Sequence, residues 1–152
     1  MKRVIVRSVY EAFDYVMEHY YPAGLEEAAE RSDTYAVISI QDSHTGGFGF
    51  RFTESKTCAG ALTLYFDDVV RPVEGAVAFD RKMAGEIIDF IEAHRGAADT
   101  LLVHCYGGQS RSMAVGAFAV RMLGGDNRKY FEKANPNRLV YDTLVAEWEA
   151  RQ

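Results

Sequence analysis

Apolar residues are concentrated in four short runs along this chain. The runs are rich in β-branched and aliphatic side chains, which is typical of strands. They are RVIVR (3–7), YAVISI (35–40), ALTLYF (61–66) and TLLVHC (100–105). The second and fourth runs are almost continuously apolar, which predicts strands that are covered on both faces of a sheet.

Helical patterns separate and follow these runs. Ser8, with Glu11 three residues later, has the sequence of a capping box, and Asp80 is a predicted N-cap. Pro136 marks a break between the last two helices. The predicted helices are 8–20, 80–96, 112–125, 127–134 and 137–150.

Strands that alternate with helices favour an α/β fold. We predict a mainly parallel central sheet of four to five strands, flanked by helices on both faces in a three-layer sandwich. The length of 152 residues fits a single domain spanning 1–152. The long, glycine-rich segment 41–60 is either a surface loop near the functional site or the place of a short hairpin.

Composition narrows the classes of protein that this chain fits. Hydrophobic residues make up 48% and charged residues 26%, as in soluble globular proteins. The net charge of −5 disfavours binding to nucleic acid or to an anionic membrane, although a local positive pocket can still hold an anionic substrate. No apolar run approaches the length of about 18 residues needed for a membrane span.

Cysteine and histidine usage points to a reduced compartment without a metal site. Cys58 and Cys105 do not resemble a disulfide framework, and the first residues lack the apolar segment of a signal peptide. We therefore expect a cytoplasmic protein. The histidines show no metal-ligand spacing with the cysteines, so we expect neither a metal nor a cofactor. They are His19, His44, His94 and His104.

The segment HCYGGQSRS (104–112) carries the chemistry that the rest of the chain lacks. Cys105 ends a predicted strand and Arg111 lies where a helix begins, at the sheet edge where ligands collect in α/β folds. Gly107 and Gly108 permit positive φ values, so the backbone amides can turn inward and form an anion nest. The arginine fork matches phosphate oxygens, and the same positive field favours a nucleophilic thiolate at Cys105.

This segment resembles the HC-x5-R-[S/T] signature of the cysteine-dependent protein tyrosine phosphatases. His104-Cys105 is followed by five residues and then by Arg111-Ser112, and the SRS ending is most similar to the compact dual-specificity branch. The resemblance covers the layout from about residue 35 to the C-terminus. Residues 1–34 carry no motif that we can place.

The resemblance implies a phosphomonoester hydrolase of the tyrosine or dual-specificity type, with a phosphocysteine intermediate on Cys105. It implies that Arg111 and the loop amides bind phosphate and that Ser112 helps the thiolate leave. His104 then orients the loop. The residues between Cys105 and Arg111 are predicted to line the substrate site. They are Tyr106, Gly107, Gly108, Gln109 and Ser110.

The leaving oxygen needs a proton, and the family takes it from an aspartate after the preceding strand. Asp67 and Asp68 follow the run ALTLYF, and strand alternation lets only one of them point easily at the site. Alignment on the family pattern favours Asp68, with Asp67 as the alternative acid. Asp42 and His44 are weaker candidates for this role.

The expected substrate is a phosphorylated protein or a small phosphomonoester. The five loop residues include no lysine or arginine, which points away from polyanionic inositol lipids. Two other functions stay open: a catalytically weak phosphatase-fold module that binds phosphorylated ligands, and a sulfur-transfer or arsenate-reducing enzyme. Segment 135–144 is predicted to be a plain turn and the final helix. The sequence leaves the oligomeric state open.

Overall fold

The computed structural model describes residues 1–21, 24, 27, 33–44, 47–49 and 51–152. The elements in chain order are β1 (Arg3–Ser8), α1 (Val9–Tyr20), β2 (Tyr35–Gln41), β3 (Cys58–Tyr65), α2 (Arg81–His94), β4 (Thr100–Cys105), α3 (Arg111–Met122), α4 (Arg128–Lys133) and α5 (Arg138–Ala150). The strands form one parallel sheet in the order β1-β4-β2-β3. The predicted α/β fold with a parallel sheet is confirmed.

The helix ends follow the signals in the sequence. Ser8 and Glu11 make both hydrogen bonds of the capping box at the start of α1. The Asp80 carboxylate accepts the Met83 N–H at 2.9 Å and so begins α2. These local contacts explain why the predicted helices agree with the observed ones to within a few residues.

The start of β3 differs from its prediction. The strand begins at Cys58, three residues before the apolar run, because Ala59 and Gly60 carry little strand signal. A Cβ at Gly60 would lie 2.3 Å from Nε2 of His94, so glycine here allows α2 to pack closely on β3. In the described part of the segment after β2 no strand precedes Cys58; residues 45, 46 and 50 lie outside that description.

Helices cover both faces of the sheet. On one face α2, α3 and α5 enclose a large core that includes Ile38, Ile40 and Val103. On the other face α1 packs against a smaller cluster that includes Val37 and Leu102. Because all strands run in the same direction, their carboxyl ends meet at one edge of the sheet, and the loop after β4 lies at that edge.

The described residues include no helix that combines the length and the apolar character required to cross a bilayer.

Candidate active site

The chain after β4 curls around the sulfur of Cys105. The backbone N–H of Gly108 donates to Sγ at 3.2 Å, and Oγ of Ser112 lies 3.0 Å from the same sulfur. Cys105 is only 2% exposed. The sulfur therefore lies at the floor of a loop that residues 105–112 form, which we call the nest.

Glycine is required at one position of the nest. Gly108 has φ +71°, and an added Cβ would lie 2.6 Å from backbone atoms of Arg7 and Ser8. Of the two glycines that permit positive φ values, only Gly108 has one; Gly107 does not, and a Cβ at Gly107 would have free space. The end of β1, which carries no motif, is thus the surface on which the nest packs.

Arg111 is buried at the start of α3, with 5% of its surface exposed. Its Nη1 donates to the carbonyl oxygen of Phe66 at 2.8 Å and lies 2.7 Å from Oδ1 of Asp42. Among the residues that the structure describes, the buried Nε has no hydrogen-bond partner. An unpaired buried N–H is costly, so its presence beside the nest indicates a site for an acceptor.

The start of α3 adds to this positive region. Ser110 occupies the N-cap position, but its side chain makes no capping hydrogen bond. The N–H groups of the first turn therefore keep their partial positive charge beside the buried guanidinium of Arg111. Together they form a cradle suited to an oxyanion.

His104 supports the loop from the opposite face of the sheet. Its Nδ1 lies 3.3 Å from the carbonyl oxygen of Cys105, and its Nε2 lies 2.6 Å from Oγ of Ser39. A carbonyl oxygen only accepts, so Nδ1 carries the proton and Nε2 accepts the Ser39 hydroxyl. Burial, assisted by the charge of Arg111, lowers the pKa of His104 from 6.5 to about 4, against an opposing effect of its backbone hydrogen bond. The ring is neutral at pH 7.

The carboxylate of Asp67 is fully used in structural contacts. It accepts the N–H of Ser43 at 3.0 Å, the Ser43 hydroxyl at 2.5 Å and the N–H of Val77 at 2.8 Å. Burial raises the pKa of Asp67, but these hydrogen bonds outweigh it and lower the pKa from 3.8 to about 2. His44, the exposed weaker candidate, lies 3.4 Å from the same carboxylate.

Asp68 is exposed and contacts the nest directly. Its Oδ1 accepts the Ser110 hydroxyl at 2.8 Å and the side-chain amide of Asn137, also at 2.8 Å. No hydrogen bond from any described residue reaches its other oxygen, Oδ2. The structure thus brings Asp68 to the rim of the nest.

Sequence reasoning missed the contacts that two residues make at this site. Asp42 was a weak candidate for the acid, but its carboxylate pairs with Arg111 instead. Asn137 is the first residue of the predicted helix 137–150, and nothing in the sequence indicates that it contacts Asp68. The only sequence signal for Asp42 is its place just after β2, at the sheet edge that also holds Cys105.

Aromatic rings border the mouth of the nest. Tyr106 is 55% exposed, and the Phe48 ring lies 6.0 Å from the rings of both Tyr106 and His104. The N–H of Phe48 donates to Oε1 of buried Gln41 at 3.0 Å. The segment after β2 therefore runs beside the site, while Gly107 and Gln109 are exposed in the nest itself.

Cys58 lies at the other end of the sheet from Cys105. It pairs with Tyr35, which pairs with Thr100, five residues before Cys105 along β4. That separation is about 16 Å, well beyond the Cα distance of about 7 Å that a disulfide tolerates. Within the described residues, no group of three or more His, Cys, Asp and Glu side chains is arranged to hold a metal ion.

Solved structures of phosphatases resemble this chain along most of its length. Human DUSP28 has a TM-score of 0.58 and 18% identity, with 98% of this chain and 93% of that chain covered. DUSP15 has a TM-score of 0.60 and 21% identity, with 98% and 85% covered. The chain has the dual-specificity phosphatase fold.

A third similar structure is the human tyrosine phosphatase-like serine/threonine/tyrosine-interacting protein, with a TM-score of 0.60 and 18% identity. The similarity covers 97% of this chain and 91% of that chain. The shared fold therefore includes β1 and α1, for which the sequence offered no motif. No protein-family model matches the sequence, and no curated protein matches it.

Proposed function

We propose that this protein hydrolyses phosphomonoesters in the manner of the tyrosine and dual-specificity phosphatases, with Cys105 as the nucleophile. One observation carries the proposal. Sγ of Cys105 accepts the Gly108 N–H at the floor of the nest, beside a buried Arg111 whose Nε is unpaired among the described residues. A tetrahedral oxyanion above the sulfur would give the unpaired Nε of Arg111 an acceptor.

In the first step the Cys105 thiolate attacks phosphorus and the bond from phosphorus to the leaving oxygen breaks. The Gly108 N–H stabilises the negative sulfur before attack. Arg111 and the amides at the start of α3 hold the non-bridging oxygens, whose charge the transition state must stabilise. The product of this step is a phosphocysteine and a free alcohol or phenol.

Asp68 supplies the proton that the leaving oxygen needs. Both of its hydrogen bonds fall on Oδ1, from Ser110 and Asn137, so a proton on Oδ2 is free to transfer. Asp67 suits this role poorly, because its low pKa keeps it ionised and its oxygens are already used. We therefore assign the acid to Asp68 and a bracing role to Asp67.

In the second step water attacks phosphorus and transfers a proton to the Asp68 carboxylate. The bond from sulfur to phosphorus breaks, and the Ser112 hydroxyl, 3.0 Å from Sγ, stabilises the departing thiolate. Phosphate leaves and the enzyme returns to its starting state. Neutral His104 holds the Cys105 carbonyl through Nδ1 and takes no proton in either step.

The substrate is a phosphorylated protein or a small phosphomonoester. No lysine or arginine occurs between Cys105 and Arg111. The nest therefore has few cations besides Arg111, which suits a substrate that carries a single phosphate. Tyr106 and Gln109 are exposed at its mouth, where they would contact the group that carries the phosphate.

Steady-state hydrolysis of p-nitrophenyl phosphate tests the proposal. We expect turnover by the wild type, a loss of at least about 10³-fold in Cys105→Ser, and a trapped phosphocysteine on Cys105 after rapid acid quench. Cys58→Ser is the matched control, because this second cysteine lies far from the nest. It should retain wild-type turnover per folded molecule.

Two results would overturn the proposal and identify the alternatives. Phosphate binding without turnover would indicate a binding module, a role that fits a fold shared with a phosphatase-like interacting protein. Turnover of thiosulfate or arsenate that exceeds phosphate hydrolysis would indicate a sulfur-transfer or arsenate-reducing enzyme.

A further inference from the structure

Asn137 links three elements of the molecule with one side chain. It is 3% exposed and occupies the N-cap of α5, where Oδ1 accepts the Val140 N–H at 3.1 Å. Its Nδ2 donates to Oδ1 of Asp68 at 2.8 Å and to the carbonyl oxygen of Val69 at 3.1 Å. Its backbone N–H donates to the carbonyl oxygen of Ser110 at 3.2 Å.

Capping alone does not account for asparagine at this position. Serine, threonine and aspartate cap helices comparably well, because each offers a side-chain acceptor. Asparagine differs from them in also carrying an N–H₂ donor. Here that donor is directed at the Asp68 segment, and the acceptor is directed at α5.

We propose that Asn137 is a positioning residue that sets the Asp68 carboxyl group relative to the nest. The inference rests on the proposed function, in which Asp68 is the proton donor. Asn137 joins the backbone of the nest at Ser110 to both the side chain of Asp68 and the backbone that follows it.

The hydrogen bond from Asn137 is the second one on Oδ1 of Asp68, and it restricts how the carboxyl group can rotate. With Ser110 as the only partner, the exposed Asp68 side chain could rotate about that one bond and carry its proton away from the leaving oxygen. The Asn137 amide fixes Oδ1 from a second direction and holds the following peptide through Val69. Oδ2 then keeps one orientation at the rim of the nest.

Asn137→Asp and Asn137→Ser test the inference because both retain a capping oxygen and remove the amide donor. We expect kcat/KM for phenyl phosphate, which reports formation of the phosphocysteine, to fall about 10- to 100-fold, since proton transfer to a basic leaving group depends on the acid. For 2,4-dinitrophenyl phosphate, whose leaving group needs little protonation, kcat/KM should stay within about threefold of wild type. The inhibition constant of inorganic phosphate should change little, because the nest is intact.

Asn127→Asp is the matched control. Asn127 also loses two donated hydrogen bonds, to the carbonyl oxygen of Ala117 and the hydroxyl of Tyr141, each 3.0 Å long and away from the nest. This variant should have a lower melting temperature than wild type, but the same ratio of kcat/KM for phenyl phosphate to kcat/KM for 2,4-dinitrophenyl phosphate. Asn137 variants that keep the wild-type ratio would overturn the inference.

A second measurement separates this inference from the proposed function. If the wild type hydrolyses neither substrate, the proposed function fails, and amide hydrogen exchange at residues 67–70 then decides the role of Asn137. Faster exchange in the Asn137 variants, but not in Asn127→Asp, supports it. Unchanged exchange in all variants contradicts it.

Discussion

The nest (105–112) and the segment 67–77 meet at the candidate site, and they reach their positions by different means. In the nest, Cys105 contacts Gly108 and Ser112, three and seven residues later, so its curvature is largely local. Segment 67–77 is held from outside: Ser43 binds Asp67, and Asn137 binds Asp68.

This difference separates the two chemical tasks proposed for the site. Oxyanion binding depends mainly on one short, continuous stretch of chain, in which Arg111 also contacts Phe66 and Asp42. Proton delivery depends on contacts with the loop after β2 and with the start of α5, so distant substitutions should weaken it selectively. Substitutions on the two sides of the site test that separation.

Arg111→Lys should give the largest loss. Lysine is a point charge that cannot bond the Phe66 carbonyl and Asp42 while also presenting a planar fork to an oxyanion. We expect kcat/KM for p-nitrophenyl phosphate to fall about 10³-fold or more. Arg121→Lys, at the other end of α3, is the control and should stay near wild type. A loss of less than tenfold at Arg111 would remove it from the proposed phosphate site.

Asp68→Asn and Asp67→Asn should give opposite kinds of defect. Without the acid, kcat/KM for phenyl phosphate should fall about 10²- to 10³-fold, while kcat/KM for 2,4-dinitrophenyl phosphate stays near wild type. Asp67→Asn should instead lower the free energy of unfolding by about 1–3 kcal/mol, because hydrogen bonds to Ser43 and Val77 weaken. Kinetics with both substrates and urea unfolding distinguish the two defects. A kinetic defect in Asp67→Asn together with a stability defect in Asp68→Asn would assign the acid to Asp67.

Acid should destabilise the two sides of the site in separate pH windows. The pKa of His104 is lowered to about 4 in the folded protein, so the unfolded chain binds the proton first and stability falls from about pH 6.5 to 4. The pKa of Asp67 is lowered to about 2 in the folded protein. Asp67 therefore contributes to the free energy of unfolding above about pH 4, and this contribution is lost between about pH 4 and pH 2.

The His104 window should cost up to about 3 kcal/mol, the size expected for such a pKa difference at a buried group. Urea unfolding at a series of pH values measures this, with His104→Asn as the variant that cannot titrate. Its stability should be flatter than that of wild type between pH 6.5 and 4. If the free energy of unfolding changes equally with pH in both proteins over that range, burial does not lower the pKa of His104.

Local patterns explain how much of this molecule could be predicted from sequence. The capping box at Ser8, the strand that ends at Cys105 and the spacing to Arg111 are all short-range features. The helix predicted over 137–150 begins at Asn137, but its contact with Asp68 could not be predicted, because Asp68 is 69 residues earlier in the chain. Such pairs depend on the strand order β1-β4-β2-β3, which brings distant loops to one edge of the sheet. The catalytic roles given to the site residues stay predictions.

Asp42 connects the loop after β2 to Arg111 in the nest. Its replacement should have the smallest effect on phosphate binding and turnover. Asp42→Asn keeps an acceptor for Nη1 of Arg111 but removes a negative charge 2.7 Å from it. The nest then becomes more positive, so inorganic phosphate should inhibit a few-fold more strongly.

Asp42→Ala should shift inhibition by phosphate in the other direction. It leaves Nη1 with the Phe66 carbonyl alone, so the guanidinium plane is held less firmly and the bidentate geometry is partly lost. The inhibition constant of inorganic phosphate against p-nitrophenyl phosphate, measured for both variants and for wild type at constant ionic strength, decides between charge and orientation. Shifts in the same direction would mean that only one of these effects operates, and that Asp42 does not both orient Arg111 and moderate its charge.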